Sequence, residues 1–343
     1  MEIDDINELS WYNVREWGVE GKGWEDTERF FDRLPLRAKS IVRSNVWDLS
    51  RHSAGMSLQF ETDAREIYAR WTLWSERLAM PHMSATGVSG LDLYAQDDNG
   101  SWRWVGVGMP ETAPQVEAKL VTGLEAEMRK YMIYLPLYNG VDSLEIGIHK
   151  NASFNPVPPR AEKPIVFYGT SIVHGASASR PGMCHCAILG RRLNVPIINL
   201  GFSGNGRMEI EVASFLAELH PSVYVIDCVP NTQAELIAER TEPLVQLLRS
   251  AHSDTPIVLV EDRTLQGSDF IQTRKNTNTQ RRAALRNAYE RLVSSGTSGL
   301  HYVYGEDLLG DDGEGTVDSS HPNDLGFFRM ADALQPVLEE LVK

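Results

Sequence analysis

Residues 164–171 of this chain read Pro-Ile-Val-Phe-Tyr-Gly-Thr-Ser, a short apolar run that ends in a glycine and two hydroxyl residues. β-Branched and aromatic residues in a run of this length, bounded by proline and glycine, are typical of a strand buried on both faces of a parallel sheet. In open α/β sheets, ligands bind beyond the carboxyl ends of the strands. Ser171 stands at that place and is therefore the candidate nucleophile.

The chain after residue 163 repeats this pattern, because short apolar runs alternate with segments of helical period. The pattern predicts strands at 164–168, 195–199, 223–227, 256–261 and 300–304, and helices near 182–193, 207–219, 233–251, 276–294 and 324–342. Five strands that are each followed by a helix form a parallel sheet with right-handed crossovers and helices on both faces. We therefore predict a three-layer α/β/α domain.

The first half of the chain shows a different pattern, in which apolar and polar residues alternate. The run 67–73 places Ile67, Ala69, Trp71 and Leu73 on one face of a strand. An Asn-Gly pair between two alternating runs predicts a β-hairpin, because both residues accept a positive φ. Two hairpins are expected, one joining 91–94 to 102–105 across Asn99-Gly100 and one joining 131–135 to 144–148 across Asn139-Gly140. These strands predict an all-β sandwich or jelly roll.

Residues 151–163 contain three prolines and show no period, which is typical of a linker. We predict an all-β domain over residues 1–155, whose first 36 residues are irregular, and the α/β domain over residues 156–343. The role of the first domain is open between shaping a substrate cleft and mediating self-association as a homo-oligomer.

The charge and the hydropathy pattern narrow the classes of partner. A formal net charge of −14 argues against nucleic acid and anionic membranes, because both require clustered Lys and Arg, and a small neutral substrate fits better. No apolar stretch approaches the roughly 20 residues of a membrane span. The acidic start of the chain is unlike a secretory signal. We expect a cytoplasmic protein, unless the numbered chain is a mature form with an added methionine.

Three cysteines are too few and too clustered for a disulfide framework. Two of them belong to Cys184-His185-Cys186, which invites a metal interpretation. Successive residues of a helix point in different directions and cannot close one tetrahedral shell, so a buried pair of thiols is the better interpretation.

Chemically useful side chains follow four of the five predicted strands. Ser171 follows the first strand, the glycine-rich segment 201–206 the second, Asn231 the third, and Asp318 and His321 the fifth. Parallel strands end at one edge of the sheet, so these groups are expected to converge. Acyl transfer requires such a set: a nucleophile, a base within roughly 3 Å, a group that orients the base, and donors aimed at the oxyanion.

The spacing of Asp318 and His321 favours a compact triad. A step of three residues lets the carboxylate reach one imidazole nitrogen while the other nitrogen faces Ser171, which sets the tautomer that a base needs. The order Ser, Asp, His along the chain also occurs in α/β-hydrolases. However, the G-x-S-x-G elbow of that fold is missing around Ser171, and the Asp lies too close to the His.

These residues resemble the SGNH/GDSL hydrolases, a superfamily of serine esterases with a flavodoxin-like α/β/α domain. The four residues that give the family its name have counterparts here in Ser171, Gly204, Asn231 and His321. The resemblance covers about residues 164–342. It implies that Ser171 attacks the acyl carbon, that His321 acts as base and then acid, and that Asp318 orients it. The Ser171 and Gly204 N–H groups and the Asn231 side chain would bind the oxyanion.

Two positions depart from the family pattern. Thr170 stands where the family commonly has Asp, at a position aimed at neighbouring backbone rather than at the chemistry. Thr232 follows Asn231 where the family usually has Asp, so the oxyanion donor is kept and its neighbour is not.

An N-terminal jelly roll joined to such a domain is similar to two-domain esterases of this superfamily that remove acetyl groups from sugars. The resemblance implies a serine esterase that hydrolyses short acyl esters, with an acylated sugar as the expected substrate, through an acyl-enzyme and without a metal or an organic cofactor. An acyltransferase or thioesterase with the same triad is the enzymatic alternative. A carbohydrate-binding protein with a catalytically silent second domain is the alternative from another class.

The individual site residues also have simpler interpretations. Ser171 and Asn231 are common helix caps, and the glycines of segment 201–206 suit a turn. His321 taken alone would be interpreted as a surface residue. Only the nearby Asp318 argues for a functional role.

Three further residues are candidates for lining the substrate pocket. His174 and Arg180 lie close to Ser171 in sequence but suit an exposed loop equally well. Glu261 follows the fourth strand and either borders the pocket or belongs to a solvated or ion-paired structural cluster with Asp262 and Arg263. The polar stretch 264–276 is expected to be a mobile flap without a lipid-binding face.

Overall fold

The structure is a computed structural model that describes residues 8–342. Over this range the chain forms two antiparallel sheets in its N-terminal half and one parallel sheet in its C-terminal half. None of the helices between residues 8 and 342 combines the length and the apolar character needed to cross a membrane.

The N-terminal half is a β-sandwich. Its elements are β1 (Leu9–Asn13), α1 (Ser44–Ser50), β2 (Ser57–Thr62), β3 (Glu66–Leu73), α2 (Ala85–Val88), β4 (Leu91–Gln96), β5 (Trp102–Gly108), β6 (Gln115–Thr122), β7 (Arg129–Tyr134), β8 (Val141–His149) and β9 (Phe154–Val157). One sheet has the order β1-β8-β3-β6 and the other the order β5-β4-β7-β2-β9. Apolar side chains from both sheets share one core, among them Phe60, Trp71, Leu93 and Ile146.

Two of the strand predictions are confirmed. The alternating run 67–73 lies within β3, and Ile67, Ala69, Trp71 and Leu73 are all buried. Strands β4 and β5 form the first predicted hairpin, with Gly100 at a φ of +79° in its turn. The alternation of apolar and polar residues therefore predicted the buried face of β3 correctly.

The second predicted hairpin is wrong, because β7 and β8 lie in different sheets. Strand β7 pairs with β2 and β4, whereas β8 pairs with β1 and β3. Asn139 is buried, and its side chain accepts a hydrogen bond from the Ser75 N–H (3.0 Å) and donates to the Ser89 hydroxyl (3.0 Å). A Cβ on Gly140 would meet the Arg51 carbonyl oxygen at 2.4 Å. This Asn-Gly pair therefore serves close packing among the connections that follow α1 and β3 and precede β4.

The predicted linker 151–163 contains a strand. Residues Phe154–Val157 form β9, which pairs antiparallel with β2 at the edge of its sheet. Pro156 is tolerated there because an edge strand pairs on one side only. The irregular connection to the second half is accordingly shorter than predicted, and the predicted boundary at residue 155 falls inside β9.

The C-terminal half is an α/β domain. Its elements are β10 (Ile165–Gly169), α3 (Ser171–His174), α4 (His185–Leu193), β11 (Ile197–Gly201), α5 (Ile210–Leu216), β12 (Val223–Asp227), α6 (Ala234–Ala251), β13 (Ile257–Val260), α7 (Gln272–Ser294), β14 (Leu300–Val303) and α8 (Asp324–Leu341). All five strands are parallel, in the order β11-β10-β12-β13-β14. This is the flavodoxin-like order, and its switch point lies between β10 and β12. The predicted three-layer fold is confirmed.

Helix α7 begins at Gln272, four residues before the predicted start, so the stretch 264–276 is partly helical. The Leu265 N–H donates to the Asn278 side-chain oxygen (2.8 Å), and the Gln266 N–H donates to the Ser319 carbonyl oxygen (3.1 Å). Hydrogen bonds therefore join this stretch both to α7 and to the segment that precedes His321. It exposes two adjacent large apolar side chains, Phe270 (94% exposed) and Ile271 (39% exposed).

Part of the N-terminal half packs directly on the α/β domain. Trp24, Leu34, Val42 and Trp47 share an apolar core with side chains of the parallel sheet and of α5 and α6. Residues 24–47 therefore cover one face of the second domain. Of the four apolar residues named here, Trp47 belongs to α1, whereas Trp24, Leu34 and Val42 lie outside the α-helices and strands.

Arg33 connects the two halves through hydrogen bonds to four carbonyl oxygens. Its guanidinium donates to Leu49 and His52 in the N-terminal half, and to Asn199 (3.0 Å) and Gly201 (2.8 Å) at the end of β11. The side chain is only 1% exposed. Burial lowers its pKa to about 9, partly opposed by Tyr138 and Asp32.

Candidate active site

Ser171 is the first residue of the short helix α3, directly past the carboxyl end of β10. The helix cap is Thr170, whose hydroxyl oxygen accepts a hydrogen bond from the Ile172 N–H (3.2 Å). The Ser171 hydroxyl is therefore not used as the cap and is free for another partner. Thr170 faces neighbouring backbone, as expected for the position where the family commonly has Asp.

The structure brings Ser171, His321 and Asp318 together. The Ser171 Oγ lies 2.9 Å from His321 Nε2, and His321 Nδ1 lies 2.7 Å from Asp318 Oδ2. If Nδ1 carries the proton and donates it to Asp318, Nε2 is left as the acceptor for the serine hydroxyl. This is the connectivity of a nucleophile, a base and a group that orients the base.

The Asp318 carboxylate also organises its own loop. Its Oδ1 accepts hydrogen bonds from the N–H groups of Ser320 (3.0 Å) and His321 (2.8 Å). Partial burial opposes ionisation, but the hydrogen bonds from the backbone and imidazole of His321 outweigh it and hold the pKa of Asp318 below its ordinary value. A carboxylate that stays ionised can stabilise an imidazolium when one forms.

Three hydrogen-bond donors follow three adjacent strands of the sheet. The backbone N–H groups of Ser171 and Gly204 and the Asn231 side-chain amide make no hydrogen bonds within residues 8–342. Gly204 has a φ of +70° in an exposed turn, a conformation that favours glycine. Free donors beside a nucleophile are what an oxyanion requires.

Close backbone contact holds the Gly204 loop against the Ser171 turn. A Cβ on Gly206 would lie 1.9 Å from the Gly169 carbonyl oxygen, and one on Gly201 would lie 2.1 Å from the His174 nitrogen. Larger residues at these two positions would push the loop away from the nucleophile. The glycine-rich segment is therefore a turn with a positive φ that also fits closely to the neighbouring strand end.

Of the three further pocket candidates, two are fully buried. His174 is 0% exposed, and its ring stacks on Tyr138 at 4.1 Å. Burial and the nearby Arg33 lower the pKa of His174 well below its ordinary value, which leaves a neutral imidazole. Glu261 is also 0% exposed and accepts hydrogen bonds from Tyr302 (2.6 Å) and the Gly305 N–H (2.9 Å). The structure brings neither residue into hydrogen-bond contact with the triad.

Arg180 is held beside the N-terminal domain. Its guanidinium donates to the buried Asp92 carboxylate (2.8 Å) and to the Tyr94 hydroxyl. This ion pair crosses the domain interface. The structure therefore gives Arg180 a packing role between the domains and shows no hydrogen bond from it to Ser171 or His321.

Two residues of the N-terminal half lie against Ser171 and His321, and the sequence patterns did not single them out. The Tyr138 hydroxyl donates to the Ser171 carbonyl oxygen (3.4 Å), and the His82 ring lies 5.4 Å from the His321 ring. Tyr138 directly precedes the Asn139-Gly140 pair. Because both contacts depend on how the domains pack, no local spacing in the sequence could have indicated them.

The three cysteines are buried free thiols. Cys184 precedes α4, and its thiol donates to the Pro181 carbonyl oxygen (3.3 Å). Burial raises the pKa of Cys184 to about 11 and that of Cys186 well above its ordinary value, so both are protonated thiols at neutral pH. Within residues 8–342, no three His, Cys, Asp or Glu side chains are grouped closely enough to hold a metal ion.

A flavodoxin-like sheet with serine, histidine and aspartate at its switch point defines the SGNH class of hydrolases. Residues 162–339 match the GDSL-like lipase/acylhydrolase family, and residues 9–154 match the N-terminal domain of SGNH-type esterases. The chain belongs to the GDSL-like lipase/acylhydrolase family. No curated protein sequence matches it.

Three solved structures cover nearly the whole chain. A candidate GDSL-like lipase from Bacteroides ovatus ATCC 8483 is 35% identical, with a TM-score of 0.92 and coverage of 97% of this chain and 98% of its own. The salicylyl-acyltransferase SsfX3 from a tetracycline biosynthetic pathway is 18% identical (TM-score 0.75, coverage 99% and 96%). A family two carbohydrate esterase from Cellvibrio japonicus is 12% identical (TM-score 0.60, coverage 97% and 98%). The last two similarities show the shared two-domain fold.

Proposed function

We propose that the protein is a serine esterase that hydrolyses short acyl esters, in particular acetyl esters of carbohydrates. The observation that carries the proposal is the continuous contact from the Ser171 Oγ to His321 Nε2 (2.9 Å) and from His321 Nδ1 to the Asp318 carboxylate (2.7 Å). Membership of the acylhydrolase family supports ester hydrolysis.

The first half of the reaction acylates the serine. The Ser171 oxygen attacks the acyl carbon while its proton passes to His321 Nε2. The oxyanion that forms is bound by the N–H groups of Ser171 and Gly204 and by the Asn231 amide. His321 then returns the proton to the alcohol oxygen, the carbon–oxygen bond of the ester breaks, and the alcohol leaves.

The second half releases the acyl group. Water gives one proton to His321 Nε2 and attacks the acyl carbon of the Ser171 ester. The tetrahedral intermediate collapses, the proton returns to the Ser171 oxygen, and the carboxylic acid leaves. Each step uses groups of this chain and water alone, and Asp318 stays ionised throughout.

The carbohydrate part of the proposal is supported by the two-domain architecture. The family two carbohydrate esterases of Cellvibrio japonicus and Clostridium thermocellum share this fold at 12% and 15% identity, with TM-scores of 0.60 and 0.53. Phe270 and Ile271 are the exposed large apolar side chains of the stretch 264–276, which is a small surface for a lipid and favours a small polar substrate.

The test is turnover of p-nitrophenyl acetate by wild type, Ser171→Ala and His321→Ala, followed by a panel of acetylated sugars. Either substitution should lower kcat by several orders of magnitude, since triad members act as a unit. Covalent labelling of Ser171 by an organophosphonate would distinguish an esterase from a silent carbohydrate-binding protein. Unchanged turnover by Ser171→Ala would overturn the proposal, and ester products formed with added sugar acceptors would instead indicate acyl transfer.

A further inference from the structure

A cavity of about 730 Å³ lies between the N-terminal domain and the Gly204 loop. Most of its lining comes from the N-terminal domain. Its lining includes Asn45, Asp48, Trp74, Met80 and Tyr138 from that domain, together with Ser203 and Asn205 from the α/β domain.

The cavity adjoins the candidate oxyanion site. Ser203 and Asn205, which flank Gly204 in sequence, both line the cavity. The Arg43 guanidinium of the N-terminal domain donates to the Asn205 side-chain oxygen (2.6 Å), which ties the loop to that domain. An ester whose carbonyl oxygen is bound at the Gly204 N–H therefore has the cavity beside it.

Ser171 and His321 do not line the cavity themselves, but two of its lining residues lead to them. Tyr138 lines it, and the Tyr138 hydroxyl donates to the Ser171 carbonyl oxygen (3.4 Å). Met80 lines it as well, and Met80 and Met83 exchange backbone hydrogen bonds (3.0 Å each) around a turn that carries His82. The His82 ring lies 5.4 Å from the His321 ring. The elements that bound the cavity are thus the ones that touch Ser171 and His321.

The lining combines polar groups with the apolar side chains of Leu49, Met80 and Val88, a mixture that suits a sugar ring, which has C–H faces as well as hydroxyls. Trp74 is 41% exposed, and the guanidinium of Arg29 lies 4.9 Å from its ring centroid, which fixes one aromatic surface at the cavity. Asn45 and Asp48 are exposed polar residues of the same lining. An acyl chain cannot form hydrogen bonds with such groups. A sugar ring can place its C–H face on the indole and its hydroxyls on the polar groups.

We propose that this cavity binds the alcohol part of the substrate as a sugar unit, and that Trp74 and Asp48 of the N-terminal domain determine which alcohol is accepted. This inference rests on the esterase function proposed above. It gives the β-sandwich a direct part in substrate binding, one of the two roles that the sequence left open.

The test compares two acetate esters that differ only in the alcohol. Ethyl acetate has an alcohol too small to fill the cavity, whereas monoacetylated cellobiose has a sugar. For Trp74→Ala and for Asp48→Ala in the full chain, we expect the ratio of kcat/KM on acetylated cellobiose to kcat/KM on ethyl acetate to fall by about tenfold or more, mainly through KM. Two separate variants are used because Trp74 also packs against Arg29.

The matched control is Phe328→Ala. Phe328 is 45% exposed and also lies under a guanidinium, that of Arg192 at 4.6 Å, but it belongs to α8 and does not line the cavity. The ratio should be unchanged in this variant. An unchanged ratio in both Trp74→Ala and Asp48→Ala would overturn the inference, as would a wild type that hydrolyses ethyl acetate but no acetylated sugar. If the proposed esterase function itself were wrong, the wild type would hydrolyse neither ester.

Discussion

Arg263 donates hydrogen bonds to both the carbonyl oxygen (3.1 Å) and the hydroxyl oxygen of Ser320, the residue directly before His321. Arg263 is 2% exposed and pairs with the buried Asp262, which Arg281 also contacts at 3.0 Å. The segment after β13 thus holds the loop that carries the candidate base. Arg263 does not touch the triad side chains, so we regard it as a positioning residue.

We predict that Arg263→Met lowers kcat by about tenfold to a hundredfold with little change in KM. A displacement of the base by about 1 Å is sufficient for a loss of that size. The measurement is steady-state p-nitrophenyl acetate turnover, with active sites counted by organophosphonate titration so that unfolded enzyme is not included. Arg263→Lys should recover part of kcat, because an ammonium can still donate to the Ser320 oxygens.

The matched control for this variant is Arg291→Met. Arg291 lies on α7 and pairs with Glu242 at 2.6 Å, but its side chain is 51% exposed. Loss of an exposed ion pair is worth at most about 1 kcal/mol and should leave kcat unaltered. If Arg263→Met had a wild-type kcat per titrated site, Arg263 would be structural only.

We predict that Asn231→Ala lowers kcat by roughly a hundredfold to a thousandfold, as expected for the loss of one oxyanion donor. The Asn231 amide nitrogen makes no hydrogen bond within residues 8–342, and its oxygen is buried without a partner. The amide thus has no internal bond that would explain its position. Asn155→Ala, at an exposed position of β9, is the control. A kcat within twofold of wild type for Asn231→Ala would remove Asn231 from the oxyanion site.

Local patterns were sufficient to predict the α/β domain and the contacts among Ser171, His321 and Asp318. The strand run 165–169 is apolar at every position up to its terminal glycine, because both faces of the strand are covered. The Asp318 to His321 contact spans three residues, so local spacing determines it. The meeting of Ser171 and His321 followed from the rule that parallel strands end at one edge of the sheet.

Features that depend on packing between distant segments could not be predicted. The Asn139-Gly140 pair is typical of a hairpin turn. In the structure, however, the Asn139 side chain is buried and forms hydrogen bonds with Ser75 and Ser89. His82 reaches His321 only because the two halves of the chain dock. From the sequence, Asp262 and Arg263 could either border the pocket or form an ion-paired cluster. The structure shows them as a buried ion pair.

We predict that Asp227 makes the stability of the protein depend on pH. It is the last residue of β12, it lies opposite Gly169 in the sheet, and its Oδ2 is buried without a hydrogen-bond partner. Burial raises the pKa of Asp227 to about 7, although Arg263 opposes the shift. An unfolded aspartate has a pKa of about 3.9, so between these values the folded state binds the extra proton. Stability therefore falls as the pH rises through this window.

The variant Asp227→Asn removes this titration. The difference in the free energy of unfolding between variant and wild type should therefore grow in favour of the variant between pH 5 and pH 8 and then level off. Urea unfolding of both proteins at the two pH values measures it, and titrations shared by the two proteins cancel in the difference. An equal difference at pH 5 and pH 8 would show that Asp227 is ionised in the folded state.

The last prediction concerns the link between the two halves of the chain. Arg33→Met should lower the free energy of unfolding by about 3 kcal/mol or more, because it leaves buried carbonyl oxygens of both halves without a donor. Those oxygens belong to Leu49 and His52 on one side and to Asn199 and Gly201 on the other.

Arg37→Met is the control for this variant. Arg37 also reaches across the interface, to Glu218, but its side chain is 45% exposed, so its ion pair should contribute at most about 1 kcal/mol. Urea unfolding followed by tryptophan fluorescence measures both variants, and equal losses for Arg33 and Arg37 would mean that the buried guanidinium does not hold the halves together.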